Sequence, residues 1–418
     1  MKNIFFSIAL SSAVLLTQCQ SAAAPATHTQ ELLNAFWQAQ TAQQITQTAQ
    51  ALSAEVSDVD SLYRWLKAGP TYASTVPTGQ IELSRTDAED IEYPYVLLVP
   101  EDYTPTRAYS VEFNLHGGVN RAKVKAGESA WRQGYDSLKM PDRIVVVPVA
   151  WKDAYWWFDN QADNLPAILH QVKQRYHVDD NRVYLTGVSD GGTGSYFFAF
   201  MQPTEWAAFL PFIGSPGVLQ NPLGRVSHPL SFENLRGKPL FIVNGENDRL
   251  YPAYKIKPYI NQMEEAKADY EYTVIAGGEH NTAWLPEQRT RIEAFKREHV
   301  RDPLPENLRW VASRTDRYNR HYWIRIDGLH SEEEAGRLIV ERKGNEIDVN
   351  ALHVTNFTLL LNPEEVDFRQ PITVRVNGQN VYSGMVTQSA ETLLKWAAKD
   401  RDRTLLFTAE LSLQTFAP

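Results

Sequence analysis

The stretch VYLTGVSDGGTG, residues 183–194, decides how this chain is read. The β-branched and aromatic run 183–186 predicts a strand, Gly187 to Gly191 a tight turn, and the run from Gly192 to Phe200 a helix. Small residues two before and two after Ser189 let strand and helix approach without side-chain clashes. Ser189 then projects its hydroxyl clear of the sheet edge, at a helix N-terminus whose dipole favours developing negative charge. A bare G-x-S-x-G occurs by chance in loops. Its strand-before, helix-after setting makes Ser189 a candidate nucleophile that needs partners elsewhere in the chain.

Apolar strands are predicted at 80–85, 93–99, 111–115, 144–149, 183–186, 209–213, 240–243 and 272–275. Several read as buried on both faces, and helical runs alternate with them, near 163–176 and 287–299 among others, with Pro166 placed in a first turn. This is the pattern of an α/β fold with a parallel sheet. Strand 240–243 ends in Asn244-Gly245-Glu246-Asn247-Asp248, and strand 272–275 ends in Ala276-Gly277-Gly278-Glu279-His280. Both loops open on the edge that carries Ser189, where open α/β sheets place their sites. A serine hydroxyl needs a base and the base an orienting acid, so Ser189, His280 and Asp248 form a candidate triad in the order Ser, Asp, His. Glu246 competes for the acid role because it shares the loop, while Asp190 and Glu279 are expected to point away from the imidazole. His116-Gly117-Gly118 follows strand 111–115. Glycines there let backbone N–H groups approach an anionic oxygen, so Gly117, Gly118 and the Asp190 amide are the candidate oxyanion hole.

The chain resembles the α/β-hydrolase superfamily, and within it the secreted esterase, polyhydroxybutyrate-depolymerase-like and prolyl-oligopeptidase-like serine hydrolases. The carrying motifs are LHGG at 115–118, GVSDGG at 187–192, GENDRLYP at 245–252 and GGEH at 277–280, and the resemblance covers about residues 93–299. It implies the same triad, no cofactor and no metal. It leaves ester and amide substrates open. No propeller domain lies upstream, which departs from the true prolyl oligopeptidases and favours a carboxylic ester, polymer-derived or carbohydrate-linked, over a peptide. A surface-binding protein on a hydrolase scaffold is the non-enzymatic alternative, and the presence of all three triad members argues against it. Trp151, Trp156 and Trp157, in the loop after strand 144–149, are the expected substrate-binding wall, since flat aromatic faces suit rings and apolar chains; loop-core packing is their other reading.

At 418 residues the chain is too long for one ordinary core. The expected division is a signal peptide at 1–26, a helical extension at 27–75 packed on the body, an α/β-hydrolase body at 76–302, and a C-terminal β-rich, sandwich-like domain at 303–418 opened by Asp302-Pro303-Leu304-Pro305. Asn377-Gly378 signals a hairpin within that last part. A net charge of −9 without a clustered basic stripe excludes a nucleic-acid partner. Lys2, the apolar run 4–16 and the small residues 21–26 make the leader an export signal, placing the protein in the periplasm or outside the cell. No later stretch reaches the roughly 20 apolar residues a membrane helix requires. Cys19, the only cysteine, lies in a Leu-Thr-Gln-Cys string like a lipoprotein box, with Gln18 where a small residue is usual. A lipid anchor and a cysteine discarded with the leader both stay open; neither leaves a disulfide in the mature domains.

Overall fold

A computed structural model describes residues 24–124, 135–221 and 226–415. The expected leader falls, with Cys19, almost wholly outside the described residues. Three helices open the described chain, α1 (Thr27–Gln38), α2 (Ala42–Glu55) and α3 (Val59–Ala68), where the sequence suggests one long helical region. The breaks have local causes. The Thr41 hydroxyl accepts from the Gln44 N–H and the Gln44 side chain accepts from the Thr41 N–H, a reciprocal cap that starts α2. Asp58 caps α3, and Gly69 at φ 83° ends it.

The body follows as β1 (Gly79–Thr86), β2 (Glu92–Val99), β3 (Tyr109–Leu115), β4 (Arg143–Pro148), α4 (Asp159–Arg175), β5 (Val178–Val188), α5 (Asp190–Met201), β6 (Ala208–Phe212), β7 (Leu240–Gly245), α6 (Ala253–Glu265), β8 (Tyr270–Ile275) and α7 (Leu285–Glu298). Its eight strands lie in the order β1-β2-β4-β3-β5-β6-β7-β8. The β1–β2 and β2–β4 pairs are antiparallel and the rest parallel. β3 lies between β4 and β5, so the connections leaving its neighbours diverge and open a crevice at the strands' C-terminal ends. α5 is buried along its whole length except for its first residue, which explains why its sequence is apolar all round. α4 begins four residues before the earliest expected start, so Pro166 sits inside it and not in its first turn. That proline forgoes one intrahelical bond, a loss tolerated where Leu165, Ile168 and Leu169 are buried against the sheet.

Beyond α7 the chain forms β9 (Asn307–Ala312), β10 (Arg320–His321), β11 (Ile324–Leu329), β12 (Gly336–Lys343), β13 (Glu346–Leu352), β14 (Val354–Leu361), β15 (Ile372–Val376), β16 (Gln379–Gly384), α8 (Ala390–Asp400) and β17 (Ala409–Gln414). These make two sheets, β10-β11-β14-β17 and β16-β15-β13-β12-β9, closed over a core that includes Trp310, Trp323, Ile347, Phe357, Val374 and Phe407. Asn377 and Gly378 both have positive φ, as the tight β15–β16 turn needs. The sequence predicts strands here at 322–326, 338–342, 346–349, 353–361, 372–376 and 380–382, so β9, β10 and β17 have no expected counterpart.

The helical extension packs elsewhere than expected. Leu33, Phe36, Leu52, Leu62 and Leu66 share a core with Leu393, Leu394 and Ala397 of α8 and with Leu406, so α1–α3 cover the last helix of the chain, not chiefly the α/β body. Arg401 seals this junction, donating to the carbonyls of Phe36 (2.7 Å) and Ala39 (2.9 Å). Next to it, Arg301 binds Asp402 (2.7 Å) and Arg403 binds Asp180 (2.9 Å), tying the β-rich part to the body.

Candidate active site

Ser189 joins β5 to α5 at φ 57°, ψ −115°, a backbone state that L-residues rarely hold. Its N–H is anchored to the Phe212 carbonyl at 2.9 Å. The neighbouring glycines make this turn sterically feasible. A Cβ on Gly187 would lie 2.0 Å from the Gly191 carbonyl oxygen, and one on Gly191 would lie 2.0 Å from the Leu115 oxygen. Ser189 Oγ lies 2.8 Å from His280 Nε2. His280 Nδ1 lies 2.7 Å from Asp248 Oδ2, and that carboxylate is fully buried.

The acid is held as firmly as the serine. Asp248 Oδ1 accepts from the N–H groups of Leu250 (2.8 Å) and Tyr251 (2.9 Å), leaving Oδ2 for the imidazole. The loops carrying Asp248 and His280 are packed against each other: Asn247 N–H donates to the Gly278 carbonyl at 2.8 Å, and a Cβ on Gly245 would come within 2.4 Å of the same oxygen. Glu246, the competing acid, is turned away and accepts from Gly277 N–H at 2.8 Å. Glu279 is exposed. The Asp190 carboxylate accepts from Val119 N–H at 2.9 Å, tying the helix start to the glycine loop.

Gly117 lies against the serine, since a Cβ there would be 2.9 Å from Ser189 Cβ; Gly118 has φ 64°. The Gly117 carbonyl accepts from His116 Nδ1 (2.8 Å) and from Arg121 (3.0 Å). In a trans peptide the following N–H, that of Gly118, points the opposite way. His116 Nε2 in turn accepts from Ala150 N–H at 3.0 Å, so the ring carries its proton on Nδ1. Burial keeps this ring neutral, bringing its pKa down to about 4. As the first residue of α5, Asp190 has an N–H with no carbonyl one turn back to receive it.

The aromatic wall requires correction. Trp156 and Trp157 are 0% and 2% exposed and Trp151 is 5% exposed, so none offers a ring face to a substrate. Trp156 lies beneath the site, donating from Nε1 to the His116 carbonyl at 2.9 Å and filling the space left by Gly194, where a Cβ would meet it at 2.5 Å. Trp157 packs on Tyr155, and Trp151 on Tyr93. The loop folds back into the core, and its tryptophans follow. His116, Arg121 and Tyr251, whose ring stands edge-on to His280 at 5.8 Å, escaped the sequence reading. His116 carried a signal in LHGG and Tyr251 in GENDRLYP; Arg121 carried none.

A mostly parallel sheet with antiparallel β1 and β2, a strained serine between β5 and α5, and acid and histidine loops after β7 and β8 decide the architecture. The body has the α/β-hydrolase fold. No protein-family model matches this chain. It is similar to the probable feruloyl esterase C of Aspergillus flavus, 27% identical over 193 residues that cover 42% of this chain and 70% of that relative. The probable feruloyl esterase C of Aspergillus niger is 33% identical over 119 residues, which cover 27% of this chain and 43% of that relative. Among solved structures, a thermostable esterase superposes with a TM-score of 0.43 at 23% identity, covering 53% of this chain and 63% of that chain.

Proposed function

We propose that this protein is an exported serine hydrolase that cleaves carboxylic esters through an acyl-enzyme on Ser189. The carrying observation is the continuous hydrogen-bonded line from Ser189 Oγ through His280 to Asp248, at 2.8 and 2.7 Å. Ser189 Oγ attacks the ester carbonyl carbon while His280 Nε2 takes its proton, and Asp248 holds the Nδ1–H and the imidazolium charge. The negative charge on the former carbonyl oxygen is met by the N–H groups of Asp190 and of the Gly117–Gly118 segment. Collapse breaks the ester C–O bond, and His280 returns the proton to the leaving alcohol. Water then attacks the acyl-serine by the same route and releases the acid.

The two fungal relatives are named as feruloyl esterases, which makes aromatic acyl esters of plant glycans the first substrates to try. The leader at 1–26 supports export, and lipidation of Cys19 would keep the enzyme at a membrane surface. Fluorophosphonate labelling followed by peptide mapping tests the chemistry: a single adduct on Ser189 is expected, and an adduct elsewhere or none would falsify it. A panel of p-nitrophenyl esters, feruloylated and acetylated glycans and aminoacyl anilides tests the class. Turnover of esters alone is expected; faster anilide turnover would assign the peptidase reading instead.

A further inference from the structure

Lys238 stands apart from the other buried cations. Gly237, at φ 65°, turns the chain so that Lys238 and Pro239 lead into β7 at its N-terminal end, one strand length, roughly 20 Å, from the edge that carries Asp248. The lysine is only 4% exposed. Among the described residues Arg143, Lys296, Arg301 and Arg342 are also buried, and each meets a carboxylate. Buried Arg401 meets backbone carbonyls at 2.7 and 2.9 Å. Lys238 Nζ has the carbonyl of adjacent Gly237 at 3.3 Å and the ring face of Tyr322 at 4.8 Å, and among the described residues no carboxylate within ion-pair distance. Of its three N–H donors, one is hydrogen-bonded among the described residues.

Lys238 lines a cavity of about 530 Å³ between the body and the β-rich part, within the range of small-molecule sites. Arg236 and Arg309 stand on its wall with Lys238, and the half-buried Pro239, Pro305 and Ile339 supply apolar surface. Asp302 and Glu341 also line it, and since Arg309 is paired with Glu233 (2.8 Å) and Arg301 with Asp402 (2.7 Å), Lys238 is the buried cation on this wall that has no carboxylate partner among the described residues. We infer that this cavity is a binding site for a small organic acid, its carboxylate on the Lys238 ammonium and its apolar body against Pro239, Pro305 and Ile339. Burial brings the lysine pKa down to about 7, the state of an amine still lacking its counter-ion. The cation–π contact with Tyr322 fixes the ammonium in place without neutralising it. The site stands independently of the chemistry at Ser189.

Benzoate is the probe. Titration calorimetry on the full-length protein, with and without prior fluorophosphonate treatment, counts any occupancy near Ser189 separately from occupancy at Lys238. One saturable site is expected in the treated protein, weakened at least tenfold by Lys238→Met, with ester turnover of untreated Lys238→Met unchanged. Should that variant fail to fold, the wild-type protein decides: benzoate is expected to slow acetylation of Lys238 by acetic anhydride at least fivefold, read by mass spectrometry. Absence of binding, equal affinity in a folded Lys238→Met variant, or unprotected Lys238 overturns the site. Inorganic phosphate binding as tightly as benzoate overturns the assignment to an organic acid, because the apolar wall would then contribute nothing.

Discussion

At the scale of single residues, the side chains around Ser189 are held before any substrate arrives. Asp248 spends one carboxylate oxygen on two backbone amides and the other on His280. Asp248→Asn keeps the size but presents an amide that leaves the imidazole in the wrong tautomer. We expect kcat to fall about 10⁴-fold with the circular dichroism spectrum unchanged, measured on the best p-nitrophenyl ester. His116 acts one step further out. It holds the Gly117 carbonyl and thereby the direction of the next N–H, so it is a positioning residue for the oxyanion loop. His116→Phe should lower kcat by about 10²-fold, the scale of losing one oxyanion donor, while KM changes little. A KM effect of that size with kcat intact would reassign His116 to substrate binding. The three residues on the relay line were legible because each sits in a short glycine-containing string at a strand end, where backbone geometry and chemistry demand the same letters. Trp151, Trp156 and Trp157 were misread because aromatic residues serve pocket walls and cores alike, and only the path of the loop through space separates the two.

At the scale of elements, the β5–α5 turn and the α7 anchor carry most of the consequence. Gly191→Ala would place a methyl 2.0 Å from a backbone oxygen that cannot move without displacing β3. We expect it to destabilise the body by more than the ~1–3 kcal/mol of ordinary overpacking, seen as loss of soluble protein or a steep drop in Tm. Glu112 of β3 holds α7 to the sheet. Its carboxylate accepts from Lys296 (2.7 Å), Arg143 (3.0 Å) and Thr186 (2.7 Å), and Arg143 also pairs with Glu293. Burial alone would raise the Glu112 pKa, but Lys296 and Arg143 outweigh it and bring it down to about 2. A carboxyl depressed in the folded state stabilises above its unfolded pKa and loses that contribution as pH falls. The window here runs from about pH 4.5 to about pH 2, with up to ~3 kcal/mol at stake, an order-of-magnitude figure. Glu112→Gln should cost about 3–5 kcal/mol in urea unfolding and flatten that acid limb, because two buried cations are left with the single carboxylate of Glu293 between them. Strands of the body were legible from apolar runs buried on both faces. β9 and β17 were not, since half-buried strands with alternating patterns compete with loops for the same composition.

For the whole molecule, the amphipathic faces of α1 to α3 announced that they cover something, and their residues could not say what. An apolar stripe is non-specific, and it fits α8 as well as it would fit the body. Leu66→Ala, at a fully buried position facing that helix, should cost about 2–5 kcal/mol and lower the unfolding temperature of the β-rich part, read by calorimetry, with less effect on ester turnover. The arrangement also dictates the order in which the protein can be completed. Leu33 and Leu394 belong to one core although nearly the whole chain separates them, so the first helices made are the last to find their partner. Every residue between must be synthesised, and the hydrolase body can close long before, while an apolar face near the N-terminus waits uncovered. If the proposed export carries the chain unfolded, maturation waits until α8 has emerged, and the helical extension is the segment for which a holding chaperone has the longest use.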